Sequence, residues 1–232
     1  MSNFRETNED SKQRWETNAD YWDSIMGQQS NYFHCDIVRP SVEKLLDIRE
    51  GDLVLDIACG NGNFSERLAQ SGASVIAFDY SEKLIAHAKK RRVEWSSRID
   101  FQICDATDYS QLLSLRKERP FDKAVSNMGI MDISDIEPLL KAVYEMLKIG
   151  GVFVFATHHP CFERPEGKYM TACAHEDIAI EGQPVLHYYY HRPLNDLLQQ
   201  CFEAGFVMDG FIEEVDKNKE YPIIAIVRLR KI

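Results

Sequence analysis

The chain has no run approaching the ~20 apolar residues that a membrane span requires. Its polar start, MSNFRETNEDSKQRW, contains no hydrophobic leader, and its six cysteines (Cys35, Cys59, Cys104, Cys161, Cys173, Cys201) show no CxxC spacing. A soluble, cytoplasmic protein with reduced thiols is the expectation. Positive charge is also short: 27 Lys and Arg face 37 Asp and Glu, a formal net charge of -10. Such a surface repels phosphate backbones and acidic membranes, which argues against nucleic acid or a bilayer as partner. Internal repeats and low-complexity tracts are missing too. What remains is an ordinary globular composition, 44% hydrophobic and 28% charged, over 232 residues, enough for one α/β domain.

Residues 53–68, LVLDIACGNGNFSERL, organise the rest. Leu53, Val54, Leu55 and Ile57 suit a strand buried on both faces; Gly60-Asn61-Gly62 makes a turn, and a helical pattern follows. The two glycines permit positive φ and carry no Cβ, so a ligand can lie against bare backbone while the amides of the next helix point toward it. Asp56 falls at the carboxyl end of the strand, where open α/β sheets bind ligands, and it favours positive charge. The dinucleotide pattern G-x-G-x-x-G needs glycine where this chain has Ser65, and Asp56 would repel a pyrophosphate.

The run DIACGNGNF, Asp56 to Phe64, resembles motif I of the class I S-adenosylmethionine-dependent methyltransferases. With the segments below, the resemblance covers nearly the whole chain and points to the small-molecule group (methyltransferase type 11/12-like). It implies an α/β fold: a Rossmann-like, seven-stranded, mostly parallel sheet with a C-terminal antiparallel hairpin strand, helices on both faces and an N-terminal helical lid. It also implies S-adenosyl-L-methionine as cofactor, S-adenosyl-L-homocysteine as product, and contact with Asp56, Ala58, Cys59, Gly60 and Gly62.

Residues 73–78 read as a second strand ending at Asp79, 17 residues beyond Gly62. A carboxylate there accepts hydrogen bonds from both hydroxyls of a ribose. The alternative is a carboxylate at the start of the helix 82–94, for which Ser81 is an N-cap. The basic end of that helix (Lys89, Lys90, Arg91, Arg92) reads as a solvated face that complements the helix dipole. A third strand at 99–104 precedes Asp105-Ala106, and a fourth at 121–126, with a structural Asp122, precedes Asn127-Met128-Gly129. The resemblance implies Tyr80 and Leu84 against adenine, Asp105 and Ala106 at its edge, and Asn127 and Met128 beside the methionine moiety. Asp105 can equally cap the helix that begins near Tyr109. The loop 127–132 is where the cofactor should meet its acceptor, and Asn127-Met128-Gly129-Ile130 lacks the two prolines of enzymes that methylate amino nitrogens of nucleic acids or protein glutamine. Small molecules are therefore the expected substrates.

Trp15, Ala19, Trp22 and Met26 mark one face of a helix at 12–27, preceded by a frayed start and followed by a helix at 38–46. This is a packing helix or, as the resemblance implies, a lid that sets Tyr21 or Trp22 near the cofactor. After a helix at 136–148 and a strand at 152–156, residues 157–190 are long for a connection and read as an irregular cover over the acceptor pocket. His158, Tyr190 and His191 are its candidate bases, should the acceptor have a proton to lose. The group His158, His159, Cys161, Cys173 and His175 lacks the paired spacing of a zinc site, so no metal is expected. A helix at 193–204 and strands at 206–215 and 222–229, joined by a polar turn at 216–220, close the chain. The expected division of one domain is a lid (1–47), cofactor core (48–156), acceptor insertion (157–192), and helix with hairpin (193–232). The expected activity is in-line methyl transfer to a small-molecule acceptor by a monomer or homodimer. Its rivals are a catalytically silent cofactor-binding protein and an NAD(P)-dependent oxidoreductase.

Overall fold

Along residues 53–57 the side chains alternate between two apolar layers, Leu53, Leu55 and Ile57 facing one and Val54 the other. The computed structural model describes residues 4–162, 167–217 and 220–232. Parts of the N-terminal stretch, the 157–192 insertion and the 216–220 turn thus lie outside the described residues. A 3-10 turn (Phe4–Thr7) leads into α1 (Asn8–Met26), and a π-helical turn (Phe33–Val38) into α2 (Arg39–Leu46). Next come β1 (Leu53–Ile57), α3 (Asn63–Gln70), β2 (Ser74–Asp79), α4 (Glu82–Arg91) and β3 (Ile99–Ile103). They are followed by α5 (Tyr109–Ser114), β4 (Phe121–Asn127), α6 (Glu137–Met146) and β5 (Leu147–His158). The chain closes with β6 (Cys173–Asp177), β7 (His187–His191), α7 (Leu194–Glu203), β8 (Phe206–Glu214) and β9 (Ile224–Lys231).

Seven strands form one sheet in the order β3-β2-β1-β4-β5-β9-β8. β1 to β5 run parallel, and β9 alone runs against both of its neighbours. A parallel strand covered on both sides must be apolar throughout, and the period of two deals its residues to opposite layers. Phe153 and Phe155 join Leu139, Val143 and Leu197 of α6 and α7; Val152, Val154 and Ala156 join the layer of Val42, Leu68 and Ile85 from α2, α3 and α4. Asp122 closes the bottom of the sheet, accepting from the Leu53 amide at 2.8 Å and pairing with Lys148 and Arg119.

Three segments depart from expectation. The start is helical from residue 8 because Phe4 packs edge-on against Tyr190, while Thr7 Oγ1 meets the Tyr190 hydroxyl at 2.9 Å. The insertion is not irregular throughout: within it β6 and β7 pair antiparallel from Cys173↔His191 to Asp177↔His187, as a run of tyrosines between histidines favours, while its other described residues beyond β5 form turns and loops. This hairpin is bonded to α1. Asn18 exchanges two hydrogen bonds with the Val185 backbone, Arg14 lies 4.4 Å over the Tyr188 ring, and Tyr21 donates to the Glu181 carbonyl. The end of α4 is not wholly a solvated face. Arg91 pairs with buried Asp23 of α1 at 2.5 Å, and Arg92 is itself buried, donating to the Gly62 carbonyl at 3.2 Å, to Gln28 and to Asn63, with Glu66 at 2.9 Å.

Arg92 thus ties the glycine turn to the segment after α1. Arg92→Met leaves a buried carbonyl and a carboxylate without their partner and should cost about 3 kcal/mol in urea denaturation. A loss below about 1 kcal/mol would show that water replaces the guanidinium.

Candidate active site

The strand order reverses between β1 and β4, since β2 lies on one side of β1 and β4 on the other. Ligand crevices in open α/β sheets form at the carboxyl ends of the strands at such a point. Both strand ends turn sharply there. Ala58 has φ 54° and Met128 φ 66°, left-handed conformations that cost a non-glycine residue about 1–3 kcal/mol. The two turns abut: a Cβ on Gly129 would stand 2.7 Å from the Ala58 Cβ. Gly62, at φ 78°, has no such room either, since its Cβ would meet Phe101 at 2.7 Å.

The ends of β1, β2 and β4 enclose a cavity with about 730 Å³ of non-atom space, partly open to solvent and roofed by Trp15, Trp22 and Met26 of α1. Its most telling groups are carboxylates. Asp56, 1% exposed, accepts from Ser65 Oγ at 2.6 Å, and burial pushes it up to about 7 against that hydrogen bond. Asp79 accepts from the Gly60 and Ser81 amides, both at 3.0 Å, yet burial still raises it to about 6. Asp132, in the 3-10 turn Ile130–Asp132 after β4, is driven well above the usual carboxylate range by burial and then by Asp79. No Lys or Arg lines this cavity among the described residues. Charges buried without partners are expensive, so the ligand that suits this site brings positive charge.

Of the residues expected at the cofactor, Trp22, Asp56, Ala58, Cys59, Gly60, Asp79, Tyr80, Leu84, Asn127 and Met128 line the cavity. Ser81 Oγ caps α4 as read, accepting from the Leu84 amide at 3.1 Å, while Asp79 lines the cavity and accepts from the Ser81 amide at the start of that helix. Three expected residues do not line it. Gly62 serves the backbone turn, and Ala106 is packed in the core. Asp105 is taken by Lys12 of α1 at 2.5 Å and by the Thr107 amide and hydroxyl, both at 2.8 Å. An open cavity lined by Lys12, Glu16, Tyr80 and Glu82 lies beside them.

A second cavity shares Trp15, Trp22, Met26, His34, Met128 and Asp132 with the first and adds Phe33, His158, Asp177 and Tyr189. Of the candidate bases His158 lines this second cavity, and burial lowers it to about 4. Tyr190 and His191 do not line it. Tyr190 bonds Thr7 and packs on Phe4, the His191 ring reaches the Tyr169 carbonyl at 2.8 Å, and both line a smaller adjoining cavity whose wall also includes His158 and Tyr189. Sequence reasoning did not single out Phe33 and His34, which come from the π-helical turn, or Asp132, although the 127–132 loop was marked. Among the described residues no group of three His, Cys, Asp or Glu is arranged to hold a metal, and no helix is long and apolar enough to cross a membrane.

Residues 54–151 match a family described as a methyltransferase domain. A demethylmenaquinone methyltransferase of Clavibacter sepedonicus is 31% identical over 187 residues, spanning 77% of this chain and 73% of that protein. A ubiquinone biosynthesis O-methyltransferase of Xanthomonas campestris pv. campestris is 29% identical over 157 residues, or 67% of this chain and 62% of that protein. Among solved structures, an S-adenosylmethionine dependent methyltransferase from Mesorhizobium loti superposes with a TM-score of 0.64 at 24% identity, covering 82% of this chain and 96% of that one. Magnesium protoporphyrin IX methyltransferase from Synechocystis, solved with bound cofactor, gives 0.65 at 16% identity and 97% of each chain. Both share this fold.

Burial raises Asp56 and Asp79 above the 3.8 of an unperturbed aspartate, so between that value and about 7 the folded chain binds more protons than the unfolded one. Their contribution to stability is whole below the unfolded value and is lost as pH rises through about 6 and about 7. Asp56→Asn escapes its share of that loss. Its melting temperature should gain on the wild type between about pH 5 and about pH 8, and a constant difference would contradict the burial of a titrating Asp56.

Proposed function

We propose that this chain, which belongs to the class I S-adenosylmethionine-dependent methyltransferases, moves a methyl group in line to an aromatic small molecule without an anionic group near the reacting atom. Its cofactor is S-adenosylmethionine. The observation that carries the reading is a set of three carboxylates, buried Asp56 and Asp79 and partly buried Asp132, around one cavity with no lysine or arginine in its described lining. A sulfonium and an ammonium supply the missing charge, whereas the pyrophosphate of a nicotinamide cofactor would meet repulsion.

In this reading Asp79 takes the ribose hydroxyls, Tyr80 and Leu84 bound the adenine, and Asn127 and Met128 meet the methionine portion. Asp105 reaches the adenine amine once that amine takes the place of Lys12. Bound there, the cofactor supplies an electrophilic methyl group. The protein's part is to align the acceptor, which at best lowers the barrier by about 7–11 kcal/mol. Trp15, Trp22, Phe33 and Tyr189 line the second cavity and offer ring faces to a flat acceptor while excluding water. The two curated relatives, whose names place them in menaquinone and ubiquinone chemistry, support an acceptor of that ring-bearing kind.

Calorimetry and thermal shift test the cofactor. Affinity for S-adenosylmethionine should rise about tenfold from pH 5.5 to 8 as the carboxylates ionise, and affinity for uncharged-sulfur S-adenosylhomocysteine should rise less. Asp79→Ala should weaken both by about 2 kcal/mol or more. Stabilisation by NADH, with none by S-adenosylhomocysteine, would overturn the reading. Incubation with methyl-labelled cofactor and a deproteinised cell extract should then label one acceptor, and an unlabelled extract would favour a silent binding protein.

A further inference from the structure

Asp132 is among the six residues common to the two cavities, so it stands where cofactor and acceptor must meet. Of those six only Asp132 and His34 can take a proton. Burial lowers His34 to about 4, which makes it a weak base, whereas the same burial strengthens a carboxylate as a base. Asp132 Oδ1 is buried and has no hydrogen-bond partner among the described residues.

Behind it stands His187, fully buried on β7 and packed against Trp15 at 4.8 Å and Tyr189 at 4.4 Å between ring centres. Its protonation can be read from its neighbours. Gln183 Oε1 accepts from the Ala179 and Ile180 amides at 2.9 and 3.0 Å, which fixes the side-chain amide so that Nε2 faces Val185 O at 2.6 Å and His187 Nδ1 at 3.1 Å. An amide NH₂ only donates, so Nδ1 is the accepting nitrogen and the ring hydrogen lies on Nε2. Nε2 is 4.0 Å from Asp132 Oδ1 and likewise has no hydrogen-bond partner among the described residues. Burial lowers His187 to about 4, so it is a neutral donor and not a competing base. The other titratable or charged groups that act on the pair are Asp79, Tyr80 and Tyr190 near Asp132, and Asp177, His158, His175 and Arg14 near His187.

We propose that Asp132 is the catalytic residue that accepts the proton of the methyl acceptor, and that His187 is a positioning residue whose Nε2–H holds the ionised carboxylate in place. The proposal rests on the methyltransferase reading and deepens it, since it requires an acceptor whose reacting atom bears hydrogen, an O–H or an N–H. As the acceptor's lone pair forms the bond to the methyl carbon, its X–H bond breaks and the proton passes to Asp132 Oδ1. The electron pair of the broken S–CH₃ bond stays on sulfur, so one sulfonium and one carboxylate become a thioether and a carboxylic acid. The proton then leaves to solvent. Asp132 would be ionised beside a bound sulfonium, and His187 Nε2–H, 4.0 Å from Oδ1, would donate to that charge.

Two measurements need no acceptor. Nitrogen NMR of the imidazole should find the His187 proton on Nε2, and a proton on Nδ1 would overturn the pairing. Calorimetry at pH 7 in buffers of different ionisation enthalpy should show more protons released on binding S-adenosylmethionine by wild type than by Asp132→Asn, and equal counts would remove Asp132 from the charge balance. With saturating labelled cofactor and deproteinised cell extract, D132N should transfer methyl at least about 100-fold more slowly. Transfer within about threefold of wild type would exclude a base at this position. His187→Phe should move the acid limb of the pH–rate profile up by about one unit, and His187→Gln, which keeps a donor, should restore it. A lowered rate with an unmoved limb would reduce His187 to packing. Should wild type bind neither nucleoside in the same titrations, the methyltransferase reading itself would fall, a result distinct from any of these.

Discussion

The constraint on which the site depends is the burial of carboxylates without counter-ions. Water would solvate Asp56, Asp79 and Asp132 far better than the protein interior does, and the hydrogen bonds from Ser65, Gly60 and Ser81 offset only part of that loss. Asp56 and Asp79 stay buried because each stands near the carboxyl end of a strand that the core fixes in place, and Asp132 follows, partly buried, in the turn after β4. The remaining deficit selects the ligand. A site of this kind stays unsettled until a cation arrives, which ties recognition to charge more than to shape.

The same strand ends explain why the local backbone is strained. Ala58 and Met128 hold left-handed conformations at adjoining turns, and Gly129 is small because Ala58 leaves it no space. The strained turns follow β1 and β4, which pair side by side, and Arg92 separately ties down the glycine turn through the Gly62 carbonyl. A cation buried beneath a turn that awaits a cationic ligand is consistent only because its charge is met by Glu66 and by carbonyl groups.

Much of this was legible in the sequence. The apolar run before Asp56, the two glycines and the spacing to Asp79 each have a local physical cause, so the switch point and two of its carboxylates could be placed from residues alone. The antiparallel strand was legible as the second half of a terminal hairpin, although its place between β5 and β8 depends on long-range pairing. Asp132 was hidden for the opposite reason. Its neighbours on the chain are unremarkable, and its surroundings come from Trp15, Asp79 and His187, which only the folded chain brings together. The tyrosine run of β7 was visible as an aromatic cluster, but its pairing with β6 fixes which of its side chains line which cavity, Tyr189 two of them and Tyr190 and His191 the smaller one, a consequence of register that composition does not carry. Asp105 was placed correctly at the end of a strand, and what could not be foreseen was the amine of Lys12 already seated on it.

The bonds between α1 and the β6–β7 hairpin bear on traffic through the site. The reciprocal pair between Asn18 and Val185, the stacking of Arg14 on Tyr188 and the tether from Tyr21 to Glu181 make helix and hairpin one shutter. Helix α1 lines both cavities, and Tyr189 of the hairpin lines the second. On the proposed reading, a displacement of α1 that admitted the cofactor would also disturb the wall of the acceptor cavity, so the two binding events would be coupled through this cover.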